Sequence, residues 1–215
     1  MADFNEAFAA LDRLYSRAMR PAGAQRIAFV PWKSGNAGEI PNQLTRTFSA
    51  PRFTQLYFSE EEYPAIKSLT DVDELYVIGH CKHKPFTSAY IFPQRNIQVL
   101  EDFKTQNGLR FDEVARRLIA SGLQKAWRGD LKFYNCSSAG EWTYSDPLLG
   151  SDEDSEPFGS RCARELSQYA CQKWGYEEDL AVDRDAEGHK TTIQSKVRAQ
   201  LKRIPLPMEA RFKPF

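Results

Sequence analysis

Two short apolar runs dominate the pattern of hydrophobic and polar positions, Leu75-Tyr76-Val77-Ile78 and Leu131-Lys132-Phe133-Tyr134. The first is unbroken, rich in β-favouring residues and stopped by Gly79, so it reads as a strand buried on both faces, as in a parallel sheet. Further strands are predicted at Arg26–Trp32 (closed by Pro31), Gln55–Phe58, Ser88–Phe92 and Asp179–Val182. Helical spacing alternates with them. Phe4, Phe8, Leu11 and Tyr15 recur on one face of Asp3–Met19, which starts on a capping-box pair, Asp3 and Glu6, and ends at Pro21-Ala22-Gly23. Val114, Leu118 and Ile119 define an amphipathic helix over Phe111–Leu123. Phe158, Cys162, Leu166 and Tyr169 define another over Phe158–Trp174, stopped by Gly175. Ser59–Ser68 reads as a short helix disturbed by Pro64. From Lys190 onward, Ile193, Val197, Leu201 and Ile204 keep helical spacing until Pro205 and Pro207.

Strands alternating with helices predict an α/β fold, a three-layer sandwich around a mostly parallel central sheet. The absence of repeats or linkers predicts one domain over residues 1–215, with an N-terminal helix over 1–22 and a basic C-terminal tail over 190–215. Residues 33–54 and 141–156 are polar and without periodicity, so both read as long loops.

Composition narrows the function classes. A hydrophobic content of 41% with 27% charged residues is that of an ordinary globular chain, and a formal net charge of zero gives no reason to expect a nucleic-acid partner. No apolar run approaches the length of a membrane span. The start, Met-Ala-Asp-Phe-Asn-Glu, has neither the basic nor the apolar part of a signal peptide, so a cytosolic compartment is expected. Cys81, Cys136, Cys162 and Cys171 are therefore expected as thiols, not disulfides.

The chemistry sits where the two apolar runs end. His80 follows the first and Cys136 follows the second. Carboxyl ends of parallel strands are where open α/β sheets place their chemistry. A thiolate is a strong nucleophile, and a nearby imidazole can promote it or protonate a leaving amine.

Histidine first and cysteine second, each directly after an apolar strand, resembles the caspase-like (clan CD) cysteine peptidases, including the self-processing domains of bacterial toxins. The blocks that carry the resemblance are Leu75-Tyr76-Val77-Ile78-Gly79-His80-Cys81 and Phe133-Tyr134-Asn135-Cys136-Ser137-Ser138. The helices at 111–123 and 157–175 resemble those that such proteins place after each strand. The resemblance implies a caspase-like sandwich and a cysteine endopeptidase with His80 and Cys136 as its catalytic dyad. It also implies an oxyanion site built from the backbone N–H groups of Cys81 and Cys136, a protein or peptide substrate, and no cofactor or metal. Two positions depart from the family pattern. Cys81 stands where the family has glycine, so its side chain is expected to crowd the oxyanion site or to point away from it. Asn135 stands where a smaller residue is common.

The toxin-like flavour of the resemblance implies an effector delivered into a target cell without a signal peptide. It also implies an anionic activator for the basic tail, against the plainer reading of a charged helix face. The acidic run Ser151–Glu156 reads as a solvated loop or as a holder of basic substrate side chains. His80-Cys81-Lys82-His83 with Cys136 suggests zinc only weakly, because adjacent His and Cys chelate one ion poorly and no Cys-x-x-Cys pair supports them. Arg128-Gly129-Asp130 precedes a strand and reads as a coincidental integrin-type tripeptide, and Ser34–Gly38 lacks the Lys-Ser/Thr of a phosphate-binding loop. Two rival functions stay open: a catalytically inert interaction protein with the same fold, and another α/β hydrolase or transferase that uses Cys136.

Overall fold

The apolar runs become neighbouring strands. The first strands are β1 (Arg26–Val30), β2 (Thr54–Tyr57) and β3 (Glu74–Ile78). The short β4 (Tyr90–Ile91) and β5 (Leu109–Arg110) precede β6 (Asp130–Tyr134) and β7 (Gln172–Tyr176). Then come β8 (Leu180–Arg184), β9 (Lys190–Thr192) and β10 (Leu201–Arg203). The helices are α1 (Pro64–Lys67), α2 (Phe111–Ala120) and α3 (Phe158–Glu165). All belong to a computed structural model that describes residues 23–41, 53–81, 89–94, 107–135, 156–176, 180–184, 190–192 and 201–204. The predicted N-terminal helix, the acidic run except Glu156, and most of the basic tail lie outside the described residues.

Six strands form the central sheet in the order β10-β7-β6-β3-β1-β2. The strands from β2 to β7 in that order are all parallel, and β10 is antiparallel on the β7 edge. The predicted α/β class with a mostly parallel sheet is therefore the observed one. The pairs β4–β5 and β8–β9 are separate and antiparallel.

From β2 the chain steps to β3, β6 and β7 in one direction across the sheet. Right-handed crossovers put all three connections on one face, and those connections carry α1, α2 and α3. The contacts agree. Phe133 of β6 meets Phe158 of α3 edge-on at 6.2 Å, Arg161 of α3 lies over Phe111 of α2, and Tyr63 before α1 donates its N–H to the Ser121 carbonyl after α2. Strand residues on this face are apolar and buried: Ile27, Phe29, Leu75, Val77, Leu131 and Phe133. Six such side chains, each contributing about 1.5–3 kcal/mol on burial, fix the alternation of every central strand.

The opposite face is buried as expected, but Ala28, Val30 and Ile78 share it with charged residues. Register aligns Arg26, Glu74 and Asp130 in one row, and Tyr76, Lys132 and Trp174 in the next. Glu74, only 3% exposed, accepts from Lys132, from Arg26 (3.1 Å) and from the Tyr76 hydroxyl (3.1 Å). Lys132 also lies 3.5 Å from Asp130, whose Oδ1 accepts from Trp174 Nε1 at 2.9 Å. The face is covered, but by paired charges and aromatic rings.

Pro64 begins α1 instead of disturbing it, because a first-turn position needs no backbone N–H. The helix predicted over Phe158–Trp174 is corrected to α3 plus a strand. Its apolar stripe is buried as expected, but Ser167 and Tyr169 donate to carbonyls three residues back, closing a turn. Gln172 then donates to the Gly129 carbonyl and opens β7 between β6 and β10. The helical spacing read from Lys190 onward is corrected at both ends, which are the strands β9 and β10. Asp179–Val182 does hold a strand, β8, but outside the central sheet. The Arg-Gly-Asp tripeptide is built into the fold. A Cβ on Gly129 would fall 2.6 Å from the Asp73 carbonyl oxygen and 2.6 Å from Trp127 Nε1.

β7 carries a buried cation. Lys173 is 1% exposed, its Nζ donates to the Tyr169 carbonyl, and burial pulls its pKa below the ordinary lysine value, against the opposing pull of Cys171. Between that lowered value and about 10.4, the unfolded chain holds a proton that the folded chain lacks, so this group makes stability rise with pH. The buried Cys162 and Cys171 act oppositely, because their thiols stay protonated in the fold while unfolded thiols ionise near about 8.5. Comparing wild type with Lys173→Met separates the two. The stability difference should move in favour of wild type as urea melts are repeated from pH 7 to pH 9.5, and a difference independent of pH would refute the lowered pKa.

Candidate functional site

β3 and β6 are adjacent and parallel, so the residues that follow them emerge at one edge of the sheet. Gly79 donates its N–H to the Tyr134 carbonyl at 3.4 Å, which carries the alignment one step past the strands. A Cβ on Gly79 would lie 2.9 Å from Ile91 Cδ1 and 3.0 Å from Ile91 Cβ. Glycine there lets the buried Ile91 of β4 pack directly on the strand end.

His80 is held through its backbone. Its N–H donates to the Phe92 carbonyl (2.9 Å), and the Phe92 N–H donates back to the His80 carbonyl (2.8 Å). Phe92 is fully buried, so the two-bond bridge anchors a half-buried histidine to the core. Next along, Cys81 Sγ lies 2.8 Å from Asn135 Nδ2 and 3.5 Å from the Tyr90 carbonyl oxygen. Asn135 is 3% exposed, and its Oδ1 is buried without a hydrogen-bond partner.

The sheet order reverses between β1 and β3, and such a point is where open α/β sheets form a crevice beyond their carboxyl ends. The chain beyond β1 walls that side. Trp32, 2% exposed, donates Nε1 to the Asn107 carbonyl (2.7 Å), and Glu39 donates its N–H to the Pro93 carbonyl (3.0 Å).

Of the residues singled out in the sequence, His80 and Cys81 stand together at this edge with Asn135. Cys136, the next residue after Asn135, lies outside the described residues, as does His83. Among the described residues no group of three His, Cys, Asp or Glu side chains could hold a metal ion, and no helix is long and apolar enough to cross a membrane. Sequence reasoning missed the Asn135–Cys81 contact and the Phe92 clamp. Nothing in Ser88–Phe92 signals that it returns antiparallel onto His80.

The remaining cysteines are core residues. Cys162 is fully buried and Cys171 is 2% exposed, and burial pushes both thiols above the usual range. Alkylation follows thiolate content and access. Timed iodoacetamide labelling of the native chain at pH 7.5 should therefore leave both unmodified while Cys136 reacts, at least about tenfold apart in rate. Modification of Cys162 first would overturn that order.

No family model matches the chain, and no curated protein matches it. What the fold defines is the class: an α/β protein with a mostly parallel central sheet, with His80, Cys81 and Asn135 at its carboxyl edge.

Proposed function

We propose that the chain is a cysteine endopeptidase of caspase-like type, with Cys136 as nucleophile and His80 as its acid–base partner. One observation carries the reading. The constant register offset that pairs Glu74 with Asp130 and Ile78 with Tyr134 is also the spacing between His80 and Cys136 in the sequence. Adjacent parallel strands lie about 4.8 Å apart, within reach of an imidazole and a thiol. The half-buried His80 and the protonated, buried Cys162 and Cys171 are consistent with the same assignment.

In this mechanism the Cys136 thiolate attacks the peptide carbonyl, and the C–N bond breaks as His80 protonates the departing amine. Water then hydrolyses the thioester. Backbone N–H groups of Cys81 and Cys136 hold the oxyanion, an interaction that gains strength as charge develops. The substrate is a protein or peptide, the chain acts as an effector delivered into a target cell, and an anion at the basic tail is the candidate activator.

The test is cleavage of a peptide library and of the chain itself, with a peptidyl electrophile used to trap the nucleophile. Covalent capture on Cys136 supports the reading. Capture on another cysteine, or no cleavage together with a full biological phenotype in Cys136→Ala, replaces it with the inert interaction protein.

A further inference from the structure

Asn135 presents an imbalance at the edge of the sheet. Its side chain is 3% exposed, with Nδ2 against Cys81 Sγ and with Oδ1 buried and unpartnered. An acceptor left in that state is a cost to folding. A leucine of similar size would fill the space without stranding an acceptor, so packing alone does not account for an asparagine. The donor half of the amide is the part in use, and its target is the side chain that departs from the family pattern.

Two contacts set the direction of the sulfur. The Cys81 thiol donates toward the Tyr90 carbonyl (3.5 Å), and its sulfur accepts from the amide (2.8 Å). Tyr90 belongs to β4, whose Ile91 packs over Gly79, so the Cys81 sulfur is drawn toward the element that covers this strand end.

We propose that Asn135 is a positioning residue that holds the Cys81 side chain against Tyr90 and so keeps the oxyanion position clear. This deepens the peptidase reading above and rests on it. Cys81 is then a tolerated replacement for glycine only because its neighbour just after β6 removes the thiol from the substrate's path.

Two measurements on the full chain decide it. The first is the rate of Cys81 alkylation by iodoacetamide, read by peptide mass spectrometry. Asn135→Leu should raise it about tenfold, because the thiol loses its tether. Asn135→Ser, too short to reach the sulfur, should do the same and guards against a leucine variant that fails to fold. The second is peptidase kinetics. Asn135→Leu should lower kcat about tenfold at unchanged KM, and the same substitution in a Cys81→Gly background should change kcat by less than about twofold. Unchanged Cys81 alkylation in both folded variants overturns the tether. An equal loss of kcat in the two backgrounds overturns the positioning role. A wild-type chain without peptidase activity overturns the peptidase reading and the oxyanion role with it, while alkylation still decides whether Asn135 holds Cys81.

Discussion

Peptide cleavage by the Cys136→Ala chain is expected to fall by about a thousandfold or more, and His80→Ala should cost nearly as much. Thiol and imidazole act as a unit, so the double variant should be hardly worse than either single one. The residual rate would come from binding and from the backbone donors alone. His80→Ala should leave the fold in place, because the two-bond bridge to Phe92 is made by the His80 backbone. Steady-state kcat/KM on a cleaved peptide, with melting curves beside it, checks both points. Activity within tenfold of wild type in Cys136→Ala would remove that residue as the nucleophile.

The second large effect concerns stability. Glu74→Ala leaves Lys132 buried with only Asp130, at 3.5 Å, as a carboxylate partner, and removes the acceptor of Arg26 and of the Tyr76 hydroxyl. Breaking one side of a buried ion pair costs about 3–5 kcal/mol, since a charge is left without compensation. Replacing both partners by apolar residues, as in Glu74→Leu with Lys132→Met, should recover most of that loss. Urea unfolding of the two single variants and the double variant gives the coupling directly. Additive losses would mean that the two side chains are stabilised independently.

The strands were legible where apolar runs are continuous. β3 and β6 follow from Leu75–Ile78 and Leu131–Tyr134, and α2 from its 3.6-residue stripe. The run could not disclose that Glu74 and Lys132 are buried, because ion pairing across strands depends on register, which one segment does not contain. β7 was hidden for a related reason. Gln172-Lys173-Trp174-Gly175-Tyr176 follows a helical stripe without a break in composition, and Lys173 in a strand core contradicts the usual cost of burying a charge. At the candidate site the sequence supplied His80 and the departure at Cys81. The hand that holds Cys81, Asn135, became visible only once β3 and β6 lay side by side.

Sheet order also follows the order of synthesis. After β1, β2 and β3 have formed the centre, β6, β7 and β10 each join the edge made by the strand before them. A nascent chain can therefore extend its sheet strand by strand as residues leave the ribosome, never opening a finished pair to insert a later one. The residues that bear His80 are in place before the segment that bears Cys136 has been translated. On the proposed reading, the two halves of the dyad meet only when β6 docks, so no incomplete chain ending before that strand carries a cutting edge.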